Sequence, residues 1–176
     1  MNLNNIPAGN NIPHHINVIV EIPINTNPVK YEINKKYGLL FVDRFISTTM
    51  IYPCNYGYIN QTLSLDDDPL DVLIFTEYYI YPSTVIECRP IGLLKMFDES
   101  GEDKKILAVP CNKISLAYQN IKNISDVPDM FKNKIIHFFK HYKDLENNKW
   151  SKIDNWYDID IAKKEIIVSI NRFNNK

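Results

Sequence analysis

Between positions 16 and 110 the apolar residues come in short runs rich in Ile, Val, Tyr and Phe. These are INVIVEI, VKYEI, LLFVDRF, DVLIF, TVIECRPIGLLKMF and KILAVP, parted by Asn, Pro, Asp and Gly. Bursts of β-branched and aromatic residues closed off by turn formers predict strands, and their close spacing predicts a small antiparallel barrel. After residue 128 the period changes. Phe131, Ile135, Phe138, Tyr142 and Leu145 recur at intervals of 4, 3, 4 and 3, one stripe of a helix from Pro128 to Leu145. A second helix is expected from about Asp158 to Phe173, with Ile161, Ala162, Ile166, Ile170 and Phe173 on its apolar side. No repeat or linker interrupts the chain, so residues 1–176 are expected to form one α+β domain, a barrel with helices packed on it.

Five glycines among 176 residues is few, so Gly38, Gly57 and Gly101 are expected at turns or bulges, where the backbone needs them. With 20 Lys and Arg against 21 Asp and Glu, the net charge of −1 excludes the broad positive field that non-specific nucleic-acid binding relies on. Cys54, Cys88 and Cys111 form no Cys-x-x-Cys pair and read as buried apolar residues of a protein in a reducing cytosol. The amino-terminal MNLNNIPAGNNIPHH has neither a basic nor an apolar region of a signal peptide and reads as an extended arm. The longest uncharged stretch, residues 45–65, carries Ser, Thr, Asn, Gln and Pro, which lipid would leave unpaired, so no membrane span is expected.

Residues 66–71 read DDDPLD. Asp66, Asp67, Asp68 and Asp71 crowd four carboxylates into six residues, just before the apolar run that starts at Val72. Such groups repel one another and raise each other's pKa unless cations neutralise them. All-oxygen ligands select hard ions such as Mg²⁺, Mn²⁺ or Ca²⁺. The alternative is an acidic solvated turn. An EF-hand loop fails because Leu70 and Asp71 stand where a polar ligand and a glycine are needed. A phosphoaspartate hydrolase fails because Leu70 stands where that motif has a small hydroxyl. A second acidic segment, Asp98, Glu99, Glu102 and Asp103 around Gly101, reads alone as a charged hairpin turn. Beside the first, it would allow two or more metals at the spacing used for in-line phosphoryl displacement.

Basic and phenolic groups join these carboxylates. In PVKYEI a period of two sets Lys30 and Glu32 on one strand face and Val29, Tyr31 and Ile33 on the other. Arg44 and Glu21 end apolar runs, and Tyr52, Tyr56, Tyr142 and Lys143 add donors. Each alone suits an exposed charge or a half-buried tyrosine; together they suit metal ligands and phosphate donors.

At this point the chain resembles the soluble family I inorganic pyrophosphatases in their compact bacterial form. Their Asp-x-Asp-Pro-hydrophobic-Asp signature stands at Asp66, Asp67, Asp68, Pro69, Leu70 and Asp71. IPAG, EIP, KYEI, FVDRF, YPCNYGYI, RPIGLLKM, GED and HFFKHYKDLE extend the likeness over essentially the whole chain. The resemblance implies a five-stranded antiparallel OB-like barrel with two main helices, and Mg²⁺-dependent hydrolysis of pyrophosphate to two orthophosphates without a covalent enzyme intermediate. It implies several Mg²⁺ ions per site, Mn²⁺ or Zn²⁺ as substitutes, and a cytoplasmic homohexamer built as a dimer of trimers. Ca²⁺, which prefers more ligands and a looser geometry, is expected to inhibit. A nucleic-acid-binding OB module would need basic residues to dominate one face, and here the acidic clusters dominate.

Carried over residue by residue, Asp66, Asp71 and Asp103 resemble ligands of the tight activating metal, with Asp71 also touching a second. Asp98 and Glu32 resemble supports for metals that arrive with substrate, and Glu21 resembles an outer carboxylate. Asp68 resembles the general base toward a water held between metals. Lys30, Arg44, Tyr56, Lys105, Tyr142 and Lys143 resemble the phosphate cradle. Asp67 stands where bacterial relatives commonly have glycine and is expected to be a solvated bystander, since adjacent side chains alternate. His137 and His141, four apart on the first helix, share a face off the core stripe; the resemblance to homohexameric relatives implies a subunit contact there rather than a metal.

Overall fold

The computed structural model describes residues 5–176. Its elements follow in the order β1 (Ile16–Ile22), β2 (Val29–Asn34), β3 (Leu39–Phe45), β4 (Asn55–Ile59), β5 (Asp71–Ile74), β6 (Val85–Asp98), β7 (Gly101–Pro110), α1 (Asp129–His141), β8 (Ser151–Tyr157) and α2 (Ile159–Asn174). Strands β1, β4, β5, β7 and β6 pair edge to edge in that order, and β6 pairs back onto β1, closing a ring of five. Strand β8 extends the sheet beyond β6, and β2 with β3 forms a separate hairpin. The expected α+β barrel with two main helices is present.

One seam of the ring departs from the antiparallel expectation. Strands β5 and β7 run parallel, with Asp71 beside Lys105 and Ile74 beside Ala108. The reason is parity: directions cannot alternate all the way round an odd number of strands, so at least one neighbouring pair must agree. The consequence is functional, because this seam sets the first residue of β5 next to a lysine of β7.

Two strands lie outside the sequence runs that predicted strands. All five residues of β4 are buried, and its Gly57 is mid-strand rather than in a turn. A Cβ there would lie 2.8 Å from the carbonyl carbon of Ile19 and 2.9 Å from Val20 Cα, so only glycine lets β1 approach this closely. Opposite it the register slips between Val20 and Ile22, leaving Glu21 as the extra residue of a β-bulge. Gly38 and Gly101 have φ of 64° and 120° and occupy the expected turns. Strand β8 pairs only with β6, and its mixed polar sequence SKIDNWY reflects that edge position.

Alternation along the ring strands serves two apolar clusters. Val72, Ile74, Ile106 and Ala108 face one way with Ala162 and Ile166 of α2. Leu73 and Leu107 face the other with Ile135, Phe138 and Phe139 of α1. The ring strands are thus covered on both sides, and each such Val, Leu, Ile or Phe side chain contributes roughly 1.5–3 kcal/mol on burial. Helix α1 ends at His141, so Leu145 leaves the expected stripe and is 68% exposed. In α2 the Asp158 side chain caps the amide groups of Asp160 and Ile161. Ile161 and Phe173 are exposed, and Glu165 and Ser169 are buried in their stead. Glu165 tolerates burial because Lys104 and Arg172 lie 2.8 and 2.9 Å from its oxygens.

The extended arm expected at the amino terminus is not formed where it is described; residues 1–4 lie outside the described residues. Asn11 accepts from the amides of His14 and His15 at 2.7 and 2.8 Å, a turn that folds Ala8 back so that its carbonyl accepts from Asn17 N at 2.7 Å. All three cysteines are free and buried. Among the described residues no helix is long and apolar enough to cross a membrane.

Candidate active site

A cavity of about 260 Å³ opens where the β2–β3 hairpin, the start of β5, the β6–β7 turn and the end of α1 meet. The thirteen residues given metal, base or phosphate roles above all line it, as does Tyr52. The thirteen are Glu21, Lys30, Glu32, Arg44, Tyr56, Asp66, Asp68, Asp71, Asp98, Asp103, Lys105, Tyr142 and Lys143. Local structure explains their convergence. The bulge re-aims Glu21, whose Oε1 accepts from Ile33 N at 2.7 Å and so ties β1 to the strand carrying Lys30 and Glu32. The β6–β7 turn brings Asp98 and Asp103 to one end of the ring, and the parallel seam adds Asp71 and Lys105 there.

Lys105 is the centre of this charge arrangement. It is buried, with Nζ 2.7 Å from Asp71 Oδ2, 2.9 Å from Asp103 Oδ2 and 3.3 Å from the Tyr56 hydroxyl, which itself donates to Asp71. Burial alone would lower the Lys105 pKa, but Asp103 and Asp71 outweigh it and hold the ammonium well above its ordinary range. Burial pushes the Asp103 carboxyl up, and burial with Asp71 beside it pushes the Tyr56 phenol far up. Lys143 Nζ lies 2.9 Å from both Asp98 Oδ2 and Glu99 Oε1. Burial opposes ionisation of Asp98, yet the bonds from Lys143 and from Ser100 N leave its pKa lowered. Lys30 bonds Glu32 and stands 3.5 Å from Asp43, which also meets Arg44 Nη1 at 3.2 Å.

Asp66 and Asp68 differ from these. Neither has an ion-pair partner among the described residues, and Asp68 N donates to Asp66 Oδ1 at 3.2 Å. Burial, then the negative Asp66, raises the Asp68 pKa. Asp67 has φ of 68°, the left-handed region that favours glycine. Its side chain is absent from the cavity and pairs with Lys176 at 2.9 Å. It points away, as expected for an extended or turning backbone, and the backbone here is a left-handed turn.

The protein-family model described as inorganic pyrophosphatase matches residues 18–174. The chain belongs to the inorganic pyrophosphatase family. It is 56% identical over 176 residues to the inorganic pyrophosphatase of Escherichia coli (strain K12), covering 100% of both chains. A crystal structure of an inorganic phosphatase from Anaplasma phagocytophilum matches with a TM-score of 0.94 at 45% identity, covering 97% of this chain and 99% of that one. An inorganic pyrophosphatase from Coxiella burnetii matches with a TM-score of 0.92 at 49% identity, covering 96% and 99%. The protein is accordingly a hydrolase of diphosphate.

The cavity of this pyrophosphatase fits hard divalent ions. Its lining offers carboxylates, phenols, ammonium groups and a guanidinium, with no imidazole or thiol among the lining residues. Glu99, Lys35 and Tyr58 line it too, though sequence reasoning did not assign them a role. Tyr58 was signalled by period two from Tyr56 along β4, and Glu99 by its place in the second acidic segment. His137 and His141 are outside the cavity, with ring centroids 4.8 Å apart on the exposed side of α1 and His141 Nδ1 2.8 Å from Asp144.

Proposed function

We propose that this pyrophosphatase cleaves pyrophosphate by direct in-line attack of water, with Mg²⁺ as the working ion and no covalent enzyme intermediate. The observation that carries this reading is one cavity holding two opposed sets of groups, unpaired or lysine-held aspartates and buried cations with phenols. Asp66, Asp71 and Asp103 would hold the activating ion, with Asp71 reaching a second. Asp98, and Glu32 through water, would support ions accompanying substrate, and Glu21 acts from behind by fixing the hairpin backbone at Ile33. Bound divalent ions supply acidity to the attacking water and offset phosphate charge.

Asp68 is the base. Burial and the neighbouring Asp66 raise its pKa, which makes its carboxylate a stronger acceptor for a proton from water. Lys30, Arg44, Tyr56, Lys105, Tyr142 and Lys143 bind the phosphate oxygens, and the leaving phosphate gathers charge among donors already in place. Pre-placed charge costs no reorganisation during the step. Buried Tyr142 has its pKa raised, chiefly by burial, so it keeps its proton and serves as a donor.

Mn²⁺ or Zn²⁺ would occupy the same oxygen ligands, whereas Ca²⁺ would fill them without the octahedral geometry and inhibit. Residues 1–176 act as one domain, in the cytoplasm, without nucleic acid or membrane. The working assembly is a hexamer, a dimer of trimers, with the His137 and His141 face of α1 at a subunit contact. Release of orthophosphate from pyrophosphate tests the core of this reading. Two orthophosphates per substrate with Mg²⁺, none in chelator and suppression by Ca²⁺ support it. Equal turnover in Ca²⁺, or turnover without a divalent ion, overturns it.

A further inference from the structure

A group of side chains of metal-ligand type lies outside the cavity. His15, Glu87 and Cys111 each offer one ligand atom, and these atoms all lie within 4.8 Å of one another. Three chain segments deliver them. In the β6–β7 ladder Cys88 stands opposite Pro110, so Glu87 meets the residue just past β7, and Cys111 N donates to Glu87 O at 3.0 Å. β1 flanks the same place, with Asn17 opposite Glu87, and the Asn11–His15 turn sets the imidazole so that Nδ1 is 3.1 Å from Glu87 Oε1. Strand alternation sends Cys88 into the core and leaves Glu87 turned the other way, toward His15 and Cys111.

We infer that His15, Glu87 and Cys111 form a separate site for a borderline-soft divalent ion of the Zn²⁺ class, at the end of the β6–β7 hairpin remote from the catalytic cavity. The chemistry of the donors separates the two sites. The cavity is lined by hard oxygen donors, whereas this cluster combines imidazole, carboxylate and thiolate, which select Zn²⁺ or Co²⁺ over Mg²⁺. Tetrahedral zinc, with bonds of about 2.0–2.3 Å, needs ligand atoms roughly 3.3–3.6 Å apart. The nitrogen and oxygen are already at 3.1 Å, so closing the site needs side-chain shifts of about 1 Å.

The rest of the surroundings fit. Lys113 pairs with Glu87 Oε2, and Asn10 Nδ2 donates to the same oxygen at 3.4 Å, which leaves Oε1 for the ion and keeps the carboxylate oriented. The Cys111 sulfur is buried while His15 is 40% exposed at its side chain, so the ion enters past the imidazole. The thiol gives up its proton to solvent as the ion binds. Three protein ligands leave a fourth position for water. Glu87 and Asp98 stand near opposite ends of β6, eleven residues apart along the strand, a path of roughly 35 Å at ~3.3 Å per residue. An ion here ties the amino-terminal turn to the strand ends and acts on stability rather than on the reaction.

Cobalt binding read by absorbance tests this on the intact protein. Metal-stripped protein is first given excess Mg²⁺ to fill the oxygen ligands, then titrated with Co²⁺. The site predicts a thiolate-to-cobalt charge-transfer band saturating near one equivalent and bleached by Zn²⁺. Cys111→Ser should abolish the band with phosphate release unchanged, and His15→Ala, which removes a direct ligand, should weaken Co²⁺ binding by more than about 10-fold, the lower end for losing even an outer partner. With excess Mg²⁺ filling the cavity, Zn²⁺ at a hundredfold excess over its Kd for this site should raise Tm by about 5–10 °C more in the parent protein than in Cys111→Ser. No band in the parent protein overturns the inference. So does an undiminished band in Cys111→Ser or, should that variant fail to fold, undiminished affinity in His15→Ala.

Discussion

Lys105 Nζ lies 2.7 Å from Asp71 Oδ2, across the one parallel seam of the ring. The ammonium group neutralises carboxylates that the proposed mechanism assigns to metal, so Lys105 and divalent ions share the task of balancing the same charge. Lys105→Met should therefore leave Asp71 and Asp103 uncompensated when metal is absent. A loss of about 3–5 kcal/mol is the scale for breaking a buried pair, which for this chain length is about 6–20 °C in Tm. Thermal unfolding in chelator and in Mg²⁺ checks this: the variant's deficit should shrink clearly when Mg²⁺ is added. A deficit of equal size in both would separate Lys105 from the metal-binding charge.

Glu21 ties stability to pH in the opposite sense from an ordinary surface carboxylate. Burial raises its pKa from 4.5 to about 8, against the opposing bond from Ile33 N. The folded state thus holds this proton more tightly than the unfolded chain. Below pH 4.5 the group is neutral in both states and costs nothing; from there the cost grows and is complete above pH 8. Glu21→Gln keeps an acceptor for Ile33 N and removes that cost. In chelator it should raise Tm at pH 9 and leave it nearly unchanged at pH 4.5, and in Mg²⁺ it should lower turnover. A Tm difference independent of pH would contradict this account.

Asp67 is predicted to be a bystander despite standing between two proposed functional aspartates. Its partner is Lys176, and with its side chain 81% exposed the pair is worth little. Asp67→Asn should change Mg²⁺ affinity by less than about threefold, and the difference should shrink as salt rises. Mg²⁺ titration at low and moderate ionic strength checks it; a tenfold loss insensitive to salt would make Asp67 a ligand.

What could be read in the sequence depended on whether a residue's neighbours are local. β1, β5 and β7 announce themselves because ring strands covered on both faces need unbroken apolar runs. β4 hides in an uncharged stretch because Gly57, needed for the approach of β1, looks like a turn signal. β8 hides because an edge strand needs no apolar run, and its register on β6 slips between Lys95 and Met96. Leu145 was assigned to a helix that stops at His141, since nothing in a stripe marks where tertiary packing ends it. The carboxylates were legible because their crowding in DDDPLD and GED is unstable without compensation. Their pairing with Lys105 and Lys143 was not, because only the parallel seam and the end of α1 bring those lysines in. The His15, Glu87 and Cys111 group was invisible for the same reason: its members are dispersed over ninety-seven positions and meet only at a barrel end.

The central claim is that Asp68 moves the proton while Asp71 holds metal, and it is tested by measuring turnover and Mg²⁺ affinity together in Asp68→Asn and Asp71→Asn. Asp68→Asn should keep Mg²⁺ affinity within a few-fold and lose about 10²-fold or more in kcat. Asp71→Asn should lose Mg²⁺ affinity first, with part of its turnover regained at high Mg²⁺. Equal losses of Mg²⁺ affinity in both variants, or near-normal kcat in Asp68→Asn at saturating Mg²⁺, would contradict the assignment.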